Sequence, residues 1–81
     1  MRGVLVLPEA FVLIVSEVGQ EDQVIIDLQA IPEVKVSYVV YGVYDVIARV
    51  EADSMQRLKD VISNRIRQLD PIRSTLSMVV V

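Results

Sequence analysis

The sequence predicts one α+β domain of the ferredoxin-like kind: βαββαβ order, a four-stranded antiparallel sheet, and two helices on one of its faces. Three observations carry that expectation. The chain has 81 residues, 53% of them apolar, which suits a single small core. Valine- and isoleucine-rich stretches read as four strands, and two further stretches repeat apolar residues at helical spacing. The two halves also repeat. IPEVKVSYVV follows the first helical stretch as LDPIRSTLSMVV follows the second; Ile31 aligns with Leu69, Val34 with Ile72 and Lys35 with Arg73, at a constant offset of 38. The preceding strands align at a smaller offset of 34, so the second helix is about one turn longer. Two βαβ units joined by a hairpin build the plait.

Residues 10–17 (AFVLIVSE) are apolar and β-branched and stop at Gly19, so they read as the first strand. Val24, Leu28 and Ile31 fall at i, i+4 and i+7, with Ile25 beside them, and mark a helix over 20–31 that Pro32 ends. Residues 34–41 and 44–51 flank Gly42-Val43 as a hairpin. Asp53-Ser54-Met55-Gln56 fits a capping box in which Asp53 accepts a backbone N–H and Gln56 reaches back. Met55, Leu58, Ile62, Ile66 and Leu69 then form one stripe of a longer helix that ends at Asp70-Pro71, and 72–81 is the last strand. Residues 1–9 are read as an N-terminal extension, with RGVLVL a possible short edge strand, and 10–81 as the domain.

Strand alternation assigns the faces. Val34, Val36, Tyr38 and Val40 share a parity, as do Val46, Ala48 and Val50, and both sets suit the helix-covered face. In the last strand Arg73, Thr75, Ser77 and Val79 alternate with Ser74, Leu76, Met78 and Val80, which leaves the faces open. The first strand is apolar on both parities: Phe11, Leu13 and Val15 against Val12 and Ile14. A single plait needs only one apolar face there, so the second predicts a covering subunit. The expectation is a homodimer packed sheet on sheet, enlarging to a higher closed oligomer.

Composition removes several function classes. There is no cysteine and no histidine, which excludes disulfides, thiolate zinc sites, cysteine nucleophiles and histidine-dependent triads. No metal or other cofactor is expected. Net charge is −3 and the cations are dispersed, so direct nucleic-acid binding is not expected. No uninterrupted apolar run approaches the ~20 residues that cross a bilayer, which argues against membrane insertion and for a cytoplasmic protein. No carboxylate pair, phosphate-cradling loop or nucleophile–base pair stands out, so an enzyme is not expected either. Taken singly, Asp45 reads most simply as a turn cap, Gly42 as a hairpin residue, and Tyr38, Tyr41 and Tyr44 as strand packing.

Taken together, Val39-Val40-Tyr41-Gly42-Val43-Tyr44-Asp45 running into a strand, Glu51-Ala52-Asp53 opening a helix, and Ile72-Arg73-Ser74-Thr75 leading the last strand resemble the C-terminal effector domain of the Lrp/AsnC family. The resemblance covers about residues 10–81. It implies the same ferredoxin-like fold and a cleft between associating subunits that takes amino acids or related metabolites. It also implies that Val39, Tyr41, Gly42, Val43, Tyr44 and Asp45 line that cleft with Ser74, Thr75 and Ser77. Gly42 would let ligand approach the backbone, the N–H groups of 42–44 would receive a carboxylate, and Asp45 would meet an α-ammonium or fix the loop. The hydroxyls of Ser74, Thr75 or Ser77 would add contacts, and Tyr41 an aromatic wall. Full-length members carry an N-terminal helix-turn-helix domain, and only nine residues precede the first strand here, so DNA binding by this chain is not expected. Co-assembly with full-length regulators of the family is the further partner implied. Asp70-Pro71 stands where the family often has Pro-Gly. Competing readings are an ACT-type amino-acid-binding regulatory domain, a structural oligomer with an empty cleft, and a small ferredoxin-like oxygenase or isomerase.

Overall fold

The computed structural model describes residues 6–81. The elements follow as β1 (Glu9–Ser16), α1 (Glu21–Gln29), β2 (Val34–Val39), β3 (Val46–Glu51), α2 (Met55–Asp60, continued by a wider-wound segment Val61–Ile66) and β4 (Ile72–Val79). The sheet order is β2-β3-β1-β4 and every neighbouring pair is antiparallel, which is the ferredoxin-like plait. Of the extension expected at the N-terminus, residues 1–5 lie outside the described residues; Val6, Leu7 and Pro8 belong to no strand.

The core lies between the helices and one sheet face. Ala10, Val12 and Ile14 of β1, Val46, Ala48 and Val50 of β3, Val24 and Leu28 of α1, and Leu58, Val61 and Ile66 of the second helix are all fully enclosed. The turn out of β1 is closed by the Gln20 N–H donating to the Glu17 carbonyl at 3.0 Å, with Gly19 at φ +77° inside it. That left-handed backbone is why a glycine ends the first strand. α1 has no side-chain cap, but Glu21 and Asp22 occupy its first turn and complement the positive helix end. It closes through tight bonds from Ala30 and Ile31 N–H to the Asp27 and Leu28 carbonyls, just before Pro32.

The second helix departs from expectation at both ends. Its cap is Ser54, not Asp53: the Ser54 Oγ accepts the Arg57 N–H at 3.1 Å, and Arg57 stands where a capping box needs Glu or Gln. We therefore expect Ser54→Ala to cost about 0.5–2 kcal/mol in chemical denaturation and Asp53→Ala to stay within about 0.5 kcal/mol. Equal costs would return the cap to Asp53. Beyond Asp60 the helix widens to i→i+5 bonding, as in the Arg67 N–H donating to the Ile62 carbonyl at 3.1 Å. A strict spacing of four residues drifts around an α-helix by about 40° per step. The wider turn counters that drift and keeps Val61, Ile62 and Ile66 all in the core, whereas Met55, placed in the stripe by its spacing, stays exposed.

Two β-bulges set the sheet faces. In β2, Val34 pairs with Val50 but Val36 pairs with Arg49, which leaves Lys35 as an extra residue. In β4, Ser74 pairs with Val15 but Ile72 with Ser16, which leaves Arg73 extra. Lys35 and Arg73 are the residues matched by the internal repeat, so both halves carry the bulge at the same place. A bulge reverses the parity that follows it. Val36 and Tyr38, expected to point at the helices, therefore share the helix-free face with Arg49 and Ile47, while Ser37 and Val39 share the helix side. The unresolved alternation of β4 resolves the same way: Leu76 and Met78 lie opposite Leu13 and Phe11 on the helix-free face, and Thr75 and Ser77 opposite Ile14 and Val12 on the helix side. Tyr38, Ile47, Leu13 and Leu76 thus form one apolar row across all four strands, with Val36, Phe11 and Met78 beside it. Arg49 interrupts the second row, 3.3 Å from a Glu9 oxygen and 3.6 Å from Glu51.

One ion pair ties α2 to the loop before β2. The Arg57 guanidinium lies 3.0 Å from Glu33 and 3.2 Å from Asp60. Burial of the Glu33 carboxyl is the largest single influence and opposes its ionisation. Its own backbone N–H, the Arg57 hydrogen bond and charge, and the charge of Arg65 together outweigh burial and hold it below the ordinary carboxylate value. A depressed folded pKa stabilises above the unfolded value, and that stabilisation is lost as pH falls through the folded one. We expect the thermal stability gap between wild type and Glu33→Gln to be full at pH 6–7 and to close below about pH 4. A gap independent of pH would contradict it.

Candidate ligand-binding site

The loop between β2 and β3 is closed by the Val40 N–H donating to the Asp45 carbonyl at 2.8 Å. Asp45 then stitches that loop to the end of β1. Its N–H donates to the Ile14 carbonyl at 2.8 Å, and its Oδ2 accepts the Ser16 N–H at 2.9 Å and lies 3.4 Å from the Ser16 hydroxyl. Sequence reasoning missed Ser16. The signal was there: in the core-facing series Ala10, Val12, Ile14, Ser16 it is the one polar member, and it is buried. A buried polar residue needs a partner, and Asp45 is that partner. Asp45→Ala should cost about 1–3 kcal/mol by leaving the Ser16 N–H unpaired, and Asp45→Asn less, because an amide oxygen still accepts. Urea titrations giving equal costs would assign the loss to charge alone.

The tip of the loop is presented outward. Tyr41, Gly42 and Val43 are exposed, Val43 by 86%, while Tyr44 is half-buried. Gly42 does not adopt positive φ, and a Cβ built on it would meet nothing within 4 Å. The hairpin reason for a glycine is therefore absent, and nothing inside the subunit requires one.

Ser74, Thr75 and Ser77 lie at the far edge of the sheet, in β4, beyond β3 and β1 as counted from β2. Two strand spacings, roughly 10 Å, separate β3 from β4. The loop and the start of β4 are at the same end of the sheet, because Asp45 and Thr75 both meet Ile14. Thr75 and Ser77 line a groove of about 370 Å³ against Lys59, Ile62 and Arg67 of the second helix. Ser74 and Thr75 line a smaller recess of about 240 Å³ with Arg67, Ile72 and Arg73. Neither recess is lined by a loop residue. The structure thus brings the residues of positions 39–45 together, brings the β4 hydroxyls together, and keeps the two sets apart within one subunit.

The plait thus leaves one apolar sheet face open and presents outward a hairpin loop stitched to the end of β1. Comparison with known proteins gives the family. The model of the Lrp/AsnC ligand binding domain matches residues 9–81, and the chain belongs to that family. An uncharacterized HTH-type transcriptional regulator of Pyrococcus abyssi, PYRAB01370, is 35% identical over 66 residues, which are 82% of this chain and 42% of that regulator. The chain therefore spans well under half of that relative. Among solved structures, FFRP-DM1 is 42% identical with a TM-score of 0.88, over 91% of this chain and 99% of that one. PHS023 of Pyrococcus horikoshii is also 42% identical, with a TM-score of 0.86 over 91% and 89%. Among the described residues, no helix is long and apolar enough to cross a membrane.

Proposed function

We propose that this domain is a non-enzymatic, oligomeric sensor of an amino acid or closely related metabolite, with each ligand cleft shared between subunits. The hairpin loop 39–45 of one subunit would meet Ser74, Thr75 and Ser77 of a neighbour. The observation that carries this reading is the separation of the two sets: residues that the family resemblance groups together stand apart in the single chain. Gly42 fits the same reading, since an open, unstrained glycine at an exposed tip suits close approach by something outside the subunit. The loop N–H groups of 42–44 would receive the carboxylate. Asp45 is already held by Ser16 through Oδ2, so its part is to fix the loop first and to meet an ammonium second.

Assembly follows from the helix-free face. Leu13, Ile47, Leu76, Phe11 and Met78 make an apolar surface that a second copy would cover, sheet on sheet, with larger closed rings built from such pairs. Ligand that completes a junction stabilises the assembly containing it, so occupancy would shift oligomer populations and, through co-assembly, the regulators that share the fold. A thermal-shift screen of the twenty amino acids followed by calorimetry tests the reading. We expect at least one to raise the melting temperature and bind stoichiometrically with subunits; no response to any of them would leave a structural oligomer.

A further inference from the structure

Three charged side chains stand together on the otherwise apolar rows of the helix-free face. Glu9, Phe11 and Leu13 of β1 pair across the strands with Glu51, Arg49 and Ile47 of β3. Glu9 and Glu51 are thus directly opposite each other, an arrangement that repels. Arg49 lies further along β3, between Val36 and Phe11. A single nitrogen of it serves both acids: Nη1 donates to Glu9 Oε2 at 3.3 Å and lies 3.6 Å from Glu51 Oε2. Among the described residues, its Nη2 and Nε make no hydrogen bond, and the Glu51 carboxylate receives none. The side chains of Arg49 and Glu51 keep 34% and 30% of their surface open.

A sheet packed on this face would take the set out of water half-satisfied. Buried charges left without full partners are strongly destabilising. A two-fold contact supplies the missing partners, because each residue then meets across it whatever meets that residue in return. A planar guanidinium with five donors holds two carboxylates at once, so Arg49 can keep its own Glu9 through Nη1 and take a second acid with its other nitrogens. A wholly apolar opposing face would leave Arg49 and Glu51 unmet. A face with the same charge opposite either of them would repel it.

We propose that Arg49 and Glu51 select the partner of the helix-free face: Arg49 of each subunit pairs across a two-fold contact with Glu51 of a second copy of this chain. The apolar rows supply the area of the contact, and the charged set supplies its identity. A chain with an equally apolar face but other charges at these two places is refused. The inference rests on the sheet-on-sheet reading of assembly and not on any ligand.

Exchanging the two charges tests this. Arg49→Glu, Glu51→Arg and the double variant carrying both are followed by sedimentation, with circular dichroism to confirm folding and Leu13→Glu as the control for the apolar contact. Each single variant is expected to raise the dissociation constant at least about a hundredfold, since it sets like charges against each other across the contact. An equal mixture of the two single variants is expected to assemble, because each supplies the charge the other lacks. The double variant is expected to assemble as wild type does and yet to exclude wild type. Native mass spectrometry of isotope-labelled wild type refolded with the double variant should show mixed dimers as less than about a tenth of the total, where free mixing gives about half. Free mixing would mean that the charges pair only within each subunit, and would overturn the proposal. Single variants that assemble as tightly as wild type, or a double variant that stays monomeric, would overturn it too. In each of those cases a monomeric Leu13→Glu leaves the apolar contact standing. A wild-type monomer, or Leu13→Glu that stays assembled, would remove the contact itself and the proposal with it.

Discussion

Leu13→Glu is expected to turn the proposed sheet-on-sheet oligomer into a folded monomer. Leu13 lies at the centre of the helix-free face, between Ile47 on one side and Leu76 on the other. It makes no part of the buried core, which is built from the opposite parity of β1. The substitution should therefore leave the subunit's own stability within about 1 kcal/mol, as surface changes usually do. At a two-fold interface each change appears twice, and an unpaired buried charge costs roughly 3–5 kcal/mol. The dissociation constant should rise by at least about a thousandfold. Sedimentation at micromolar concentration would show this as a 9.1 kDa species with unchanged far-ultraviolet dichroism. An unchanged oligomer would mean that the apolar rows are not the interface.

Gly42→Val is expected to weaken ligand binding at the loop at least about tenfold without unfolding anything. The fold has no use for a glycine there: the backbone is not left-handed and a Cβ meets no atom within 4 Å. Stability should change by less than about 0.5 kcal/mol. A side chain would nonetheless stand where a ligand carboxylate must approach the N–H groups of 42–44, and each charge-assisted hydrogen bond lost is worth about 1.5–3 kcal/mol. Affinity should fall roughly ten- to a hundredfold or more. Asp45→Asn tests a different link, since it loosens the loop from Ser16 and weakens any ammonium contact together. If Gly42→Val binds as wild type does, the loop is only a connection between strands.

Much of the fold was legible because its signals were local and redundant. Apolar spacing at Val24 and Leu28, Pro32 as a stop, and the offset repeat each pointed to the same βαββαβ order, and the sheet order followed from it. The faces of β2 were not legible. Period-two alternation assumes an uninterrupted ladder, and one extra residue at Lys35 moved Tyr38 from the expected face to the other. The repeat already aligned Lys35 with Arg73, yet a bulge is a property of pairing and no propensity announces it. The cap of the second helix was misplaced by one residue because Asp and Ser both cap well and stood side by side. The wide turn at Val61–Ile66 was hidden for a similar reason: the same apolar stripe serves either helix until packing chooses. The candidate site residues were grouped by the family resemblance, not by any pattern in the chain itself. Their division between the hairpin and the opposite sheet edge is a matter of strand order, which no single motif carries.

A cleft shared between subunits has a direct test in mixed assemblies. Gly42→Val removes the loop half, and a Thr75→Val, Ser77→Ala double variant removes the β4 half, so neither protein alone should bind the amino acid that wild type binds. Refolded together in equal amounts, random assembly pairs an intact loop with an intact β4 at about one junction in four. Calorimetry of the mixture should therefore recover about a quarter of the wild-type sites at wild-type affinity. Recovery of no sites, with both variants shown by sedimentation to have co-assembled, would mean that loop and β4 serve the same ligand from within one subunit or serve none.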